Sequence, residues 1–293
     1  MPPPDFLVIG HVTLDLTEEG AVPGGTAFYS SLTAARLGRR VALLTRGAPP
    51  QASGSLATLA QVVDIPSSVT TTFENYYADG VRTQVIHSVA PPIEVSHLPD
   101  EWRGCTVALL APVFDEMDSA LAACFPKALL GVSPQGWLRR SGPSGIVEPK
   151  AWSDEETLGQ AKVLVLSEMD LPEKRVPPNW LTDDRVVILT QGPRGALMHH
   201  GDRWFRIPPY PAKEVDLTGA GDVFAAAYLV RYSETEDPLA SGLFASCAAS
   251  FKVENKGSKG VPTRDQIKLR MDRFKELKVT LCENPSSPHH QSL

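Results

Sequence analysis

Two carboxylates bracket a turn in Asp216-Leu217-Thr218-Gly219-Ala220-Gly221-Asp222, and a nearly uncharged run, VFAAAYLV, follows at once. A run of that kind entered through Gly-Ala-Gly predicts a buried helix. The first N–H groups of a helix lack intrahelical partners and lie at the positive end of its dipole. With glycines allowing close approach, they make a cup for an anion such as phosphate. A carboxylate at position 222 would repel a resting phosphate. It has a purpose if it takes the proton from a hydroxyl attacking that phosphate, while the amides stabilise the spreading charge. From these residues alone Asp222 could equally do no more than offset the dipole, by about 0.3–1 kcal/mol, with Thr218 as an N-cap.

Two other phosphate-binding loops are excluded. No G-x-x-x-x-G-K-[ST] occurs, so there is no Walker A loop. A dinucleotide fingerprint needs a third glycine where Phe224 stands and a strand where the chain reads PPYPAKEVD. An NAD-dependent oxidoreductase is therefore disfavoured.

The elements that must hold this turn come from hydrophobic patterning. FLVIGHV (6–12), VALLTR (41–46), TVALLAPV (106–113), ALLGVS (128–133), KVLVLS (162–167) and RVVILTQG (185–192) are short apolar runs bounded by turn residues. Apolar on both faces, they predict strands buried between helix layers. Helices are predicted over 25–38, ending at Gly38, over 115–125, and over the two runs GAGDVFAAAYLVRYS and DPLASGLFASCAASFKVE. Gly242 inside the last of these predicts close packing. A final amphipathic helix over 263–277 starts from a threonine N-cap. The alternation predicts an α/β fold, three layers α/β/α with a mostly parallel central sheet. TTTFENYYADGVRTQVIHSVA (70–90) alternates around Asp79-Gly80 instead, a hairpin signal, and with LTEEGAVPGG (16–25) predicts a small projecting sheet.

The chain has 293 residues, 42% hydrophobic and 21% charged, with a formal net charge of -6, which argues against a nucleic-acid partner over its whole surface. Cys105, Cys124, Cys247 and Cys282 form no C-x-x-C pair and are expected as buried apolar side chains in a reducing compartment. No apolar run approaches about 18 residues and the N-terminus has no leader pattern, so a cytoplasmic protein without a membrane partner is expected. One domain over 1–283, carrying the segments 16–25 and 70–90 as a lid, and a disordered tail over 284–293 complete the expected organisation.

DLTGAGD resembles the D-x-x-G-A-G-D signature of the ribokinase-like, PfkB-type family of carbohydrate and nucleoside kinases. VIGHVTLD resembles that family's first strand with its substrate-binding aspartate, here Asp15. PGGTAFYSSLTAARLG resembles its Gly-Gly motif and following helix, VVILTQGPRGAL its nucleotide-bordering strand and turn, and AASFKVENKGSKGVP its adenine-flanking segment. The resemblance covers roughly residues 5–275. It implies ATP and Mg²⁺ as cofactors, Asp222 as general base, and Gly219, Ala220 and Gly221 as the anion hole. It further implies Thr190, Gly192, Gly195, Thr218, Asn255 and Gly257 on the ATP side. Some relatives hold a monovalent cation where Asp216 and the 255–262 loop lie here. Where many relatives carry N-x-x-E, this chain has Ser167 and Asp170; Asp170 or Glu168 is the candidate to organise Mg²⁺ through water.

Asp15, Gly24, Gly25 and Thr26 are then expected to line an acceptor pocket, where a carboxylate beside backbone N–H groups suits vicinal hydroxyls. His11 lies nearby as a further candidate. GVSPQGWLRR resembles a D-x-Q-G-[FW]-x-R segment of the inositol-kinase branch, making Gln135 and Arg139 acceptor contacts, with Ser133 where those relatives have Asp. Trp137 and Phe28 are candidate stacking faces, although such side chains more often simply pack. The expected substrate is a small polyol or sugar, with a nucleoside, or a non-catalytic nucleotide- or sugar-binding role, as alternatives. The segment between Asp15 and Gly24 is short for a ribokinase, so the lid should be reduced, leaving a monomer or a homodimer open.

Overall fold

The computed structural model describes residues 2–48, 54, 56–78 and 81–284. Its strands are β1 (Phe6–Ile9), β2 (Thr13–Thr17), β3 (Gly20–Gly24), β4 (Val41–Gly47), β5 (Ala60–Pro66), β6 (Thr72–Ala78), β7 (Val81–Ser88), β8 (Val107–Leu110), β9 (Leu129–Val132), β10 (Arg139–Ser141), β11 (Val147–Pro149), β12 (Val163–Ser167), β13 (Val186–Thr190), β14 (Ala196–His200), β15 (Arg203–Ile207) and β16 (Thr280–Cys282). Among the described residues the central sheet has ten strands, in the order β16-β15-β14-β13-β12-β9-β8-β1-β4-β5. From β5 to β13 every pairing is parallel, and β14 to β16 extend the sheet antiparallel. The strand order reverses between β1 and β8, and a crevice opens outside the carboxyl ends there.

Why these strands are apolar throughout is visible in β1. Phe6 and Val8 pack on one side of the sheet, Leu7 and Ile9 on the other, so both faces need hydrophobic residues. The first side is covered by α1 (Gly25–Arg36), α3 (Ala220–Thr235), α4 (Pro238–Val253) and α5 (Arg264–Arg273). α3 is wedged between the sheet, α1 and α4, with residues 223–230 all buried; its lack of an apolar stripe reflects burial all round. Thr263 caps α5 in a reciprocal capping box with Gln266. Ile207 Cδ1 lies 2.7 Å from where a Cβ on Gly242 would sit, so close packing holds there.

The second side is thinner. It is built from α2 (Glu155–Gln160), short 3₁₀ turns and large tryptophans, among them Trp102, Trp137, Trp152 and Trp180. The helix expected over 115–125 is reduced to a 3₁₀ turn, Ser119–Cys124. The polar side chains there bond the backbone instead: Glu116, 1% exposed, accepts the Val113 and Phe114 N–H groups, and Asp118 accepts that of Ala120.

A second sheet, in the order β3-β2-β6-β7, stands beside the first. Its strands begin at Thr13 rather than residue 16, because the chain leaves the central sheet after Ile9 and the alternating TLDLT already belongs to β2. Ala78 pairs with Val81 across the predicted hairpin; Asp79 and Gly80 themselves lie outside the described residues, as does the tail from 285. Among the described residues no helix is long and apolar enough to cross a membrane. All four cysteines are free, and burial pushes the Cys105 and Cys247 thiols up to about 12, which makes them packing groups rather than nucleophiles.

Candidate active site

The D-L-T-G-A-G-D segment bridges two elements. The Val215 and Asp216 N–H groups donate to the Val253 carbonyl at the end of α4, and four residues after Asp216 α3 begins. Gly219 is the N-cap at φ 80°, a left-handed conformation, and no side chain caps the helix. Thr218 therefore is not the cap. The Ala220 N–H donates back to the Leu217 carbonyl at 3.2 Å, so this amide already has a protein partner. Asp222 stands in the first turn, half-buried.

A cleft of about 570 Å³ opens in front of this turn. Thr218 and Gly219 line it from the turn before α3, and Ala220, Gly221 and Asp222 from the first turn of α3. Asp15, Gly25 and Thr26 line it from β2 and α1, Gln135 from the turn after β9, Arg139 from the start of β10, and Thr190, Gly192 and Gly195 from the end of β13 and the turn that follows it. These thirteen expected residues converge because the carboxyl ends of the parallel strands and the N-terminus of α3 point to one side. Asp15 sits in the middle of β2, not at the end of the first strand, and is 9% exposed. It presses on Gly24, where a Cβ would overlap its carboxylate, so the glycine makes room for the acid.

Others fall elsewhere. His11 is fully buried between β1 and β2, its Nδ1 2.8 Å from Thr71 Oγ1, and it does not reach the cleft. Gly24 backs Asp15 rather than lining the space. Asn255 and Gly257 lie behind the cup, where the Gly257 N–H donates to Asp216 Oδ2 at 2.8 Å. Asp170 accepts from the Ser167 N–H and Gln135 Nε2 and pairs with Arg139 at 3.6 Å. Glu168 pairs with Arg194 and accepts from Gln191 at 3.0 Å. Both carboxylates considered for a metal are thus engaged by arginines, and no group of three or more His, Cys, Asp or Glu suited to a metal occurs among the described residues. Arg139 opens strand β10, where its pairing with Asp170 holds it beside Gln135, which also meets Asp170. Trp137 stacks on Trp152 at 5.0 Å, and Phe28 packs edge-on to Tyr29, both inside the core.

Several contributors were not foreseen from sequence. Tyr29, one turn into α1, lines the cleft with its ring against Gly219. Burial, and then the Asp216, Asp15 and Asp222 carboxylates, push its hydroxyl far above the usual range, so it stays a donor. Phe73 and Gln84 reach in from the second sheet. Lys252, the lone charge in an otherwise apolar helical run, is fully buried between Asp216 and the 255–262 loop. Burial alone would raise the Asp216 carboxyl, but the Gly257 and Thr218 N–H groups and the Lys252 ammonium outweigh it and hold it below the ordinary value. Residues 209–212, Glu214 and Leu217 line the cleft together with Ser246, Ala249, Ser250 and Val253. The last four are spaced i, i+3, i+4, i+7, a single small-residue face of α4 that leaves a flat slot beside the cup.

His11 carries a pH dependence. Burial pushes its pKa below 6.5, with the Glu116 carboxylate opposing. Below that pH the unfolded chain takes up a proton the folded chain refuses, so the stability present above 6.5 is lost as pH falls. Stability is expected to fall between pH 6.5 and 5, by at most about 1.4 kcal/mol per pH unit from this group, and melting temperature to fall with it. His11→Asn should flatten the profile in thermal melts; an unchanged slope would remove His11 as its source.

The sequence profile of the pfkB family carbohydrate kinases matches residues 152–264. Ribokinase of Bacillus subtilis is 33% identical over 118 residues, 39% of this chain and 40% of that protein. Cytidine kinase of Thermococcus kodakarensis is 26% identical over 250 residues, 78% of this chain and 88% of its own length. Among solved structures, a pyrophosphate-dependent kinase in the ribokinase family, complexed with a pyrophosphate analogue and myo-inositol, superposes with a TM-score of 0.74 at 20% identity. That superposition covers 90% of this chain and 99% of the other, and shows the fold. The D-x-x-G-A-G-D turn at the head of a buried helix, with the ten-stranded sheet behind it, lies in or beside the segment that is similar to the pfkB family carbohydrate kinases, and the chain shares the fold of the ribokinase-family structures.

Proposed function

We propose that the protein transfers the γ-phosphoryl group of ATP to a hydroxyl of a small polyol or sugar. Support comes from one observation: a single cleft holds the α3 cup with Asp222, an acceptor side with Asp15, Gln135 and Arg139, and a flat slot against α4. The slot matches a nucleobase, and the cup takes the phosphates. Asp15 and Gln135 offer an acceptor and a mixed donor–acceptor for neighbouring hydroxyls. Asp222 takes the proton of the attacking hydroxyl, and the α3 dipole and amides stabilise the transferring group. Mg²⁺ bound with ATP would screen charge on the phosphates, but Glu168 and Asp170, the carboxylates nearest to that role, are engaged by arginines and do not fit a direct metal site.

An ADP-release screen of inositols, pentoses, hexoses and nucleosides tests this, run in parallel with pyrophosphate as donor. ADP released with a polyol or sugar is expected. Release only with nucleosides would favour the second acceptor class, which the long match to a cytidine kinase supports. Turnover only with pyrophosphate would reassign the α4 slot. No turnover at all would favour a binding role.

Asp15→Ala is expected to raise the acceptor KM by about 10²-fold, the loss of two hydrogen bonds to a charged group, with ATP KM changed little. Equal changes in both would take Asp15 out of the acceptor pocket.

A further inference from the structure

Lys252 is the one lysine among the buried polar residues, and its side chain has no exposure. An ammonium is costly to bury unless its protons all meet acceptors. Here they do. Nζ lies 3.0 Å from Asp216 Oδ2, 3.3 Å from the Asp216 carbonyl oxygen and 3.3 Å from the Asn255 carbonyl oxygen. The face of the Tyr29 ring covers it at 5.6 Å. A carboxylate, two carbonyls and an aromatic face form an oxygen-rich seat for one positive charge.

The ligands of that seat belong to the two segments that shape the cup. Asp216 stands three residues before the Gly219 N-cap, and its other oxygen takes the Thr218 N–H at 2.9 Å. Asn255 precedes Gly257, whose N–H also holds Asp216. One charge on α4 thereby ties the turn before α3 to the loop after α4.

We propose that Lys252 is a built-in monovalent cation: it fills from within the chain a seat that a free potassium-sized ion would otherwise occupy, and so fixes the cup without an exchangeable ion. Lys252 is a positioning residue, acting through Asp216 on the Gly219–Gly221 turn, and its effect on turnover rests on the phosphotransfer function proposed above.

The test compares the wild type with Lys252→Met, which keeps the length of the side chain and removes the charge. Wild-type kcat is expected to change less than about twofold when tetramethylammonium is replaced by potassium. Lys252→Met is expected to lose about 10- to 100-fold in kcat, as for a displaced catalytic group, and to recover at least part of it in potassium or ammonium but not in tetramethylammonium. A purely structural ion pair would lower stability without cation-selective recovery. Independently of turnover, crystals of Lys252→Met soaked in thallous salt should show an anomalous peak between Asp216 and Asn255, and wild-type crystals none. Potassium-dependent turnover of the wild type, a thallous peak beside its Lys252, or a folded Lys252→Met with unchanged kcat or without recovery would each overturn the proposal. If Lys252→Met does not fold, the wild-type arms decide. If the wild type transfers no phosphate, the phosphotransfer function fails while the thallous peak still decides the seat.

Discussion

Asp222→Asn is expected to lower kcat by about 10²- to 10⁴-fold, with ATP affinity unchanged or slightly tighter. Asparagine keeps the size of the side chain and a carbonyl oxygen, but it accepts no proton from the attacking hydroxyl. Removing a negative charge from a phosphate cup does nothing to weaken ATP binding, so the loss belongs to kcat. The half-buried side chain sits in the first turn of α3, where its charge also offsets the helix dipole. That second effect is worth about 0.3–1 kcal/mol and reads out as stability. Melting temperature and turnover therefore separate the two roles. A variant that melts lower yet turns over near the wild-type rate would leave Asp222 as a dipole partner only.

Gly219→Ala is expected to cost about 10²- to 10³-fold in kcat, comparable to removing a donor from an oxyanion site. Two independent causes act. At φ 80° an alanine is strained by about 1–2 kcal/mol. Its methyl would also sit 2.5 Å from Tyr29 Cδ2, so either the ring or the turn must move. Tyr29 is wedged beneath by Phe28 and Lys252, which favours movement of the turn, and with it of the amides and Asp222. Adding Tyr29→Leu opens room and should recover part, not all, of the loss. Kinetics of the double variant equal to Gly219→Ala alone would show that backbone conformation, not the ring, sets the cost. Unimpaired turnover in Gly219→Ala would mean the turn does not hold the transferring group.

Some of the site was legible because its chemistry is local. A glycine turn opening an apolar run announces the start of a buried helix, and a carboxylate at position 222 then lies in its first turn. Doubly apolar strands likewise announced a parallel sheet covered on both sides, since no other place hides both faces. Where local rules compete, sequence was a weaker guide. The 115–125 segment has helical periodicity, but Glu116 and Asp118 spend their oxygens on nearby backbone N–H groups and hold it out of a helix. Asp15 looked like the end of a strand and lies inside another, because TLDLT alternates with the period of a half-buried second sheet.

Sequence alone determined the glycine turn that opens a buried helix, the carboxylate in that helix's first turn and the strand–helix alternation, because each follows from neighbours a few residues apart. Tertiary structure decided which side chains meet: Asp15 against Gly24, Asp170 with Arg139, Tyr29 under Gly219, and His11 shut away from the cleft. Lys252 shows the limit most clearly. In the sequence it is one charge in a greasy helix, and only folding brings Asp216, 36 positions earlier, to its side. Long-range pairings of this kind are set by how the layers pack, and packing depends on the whole surface of each element rather than on any local motif.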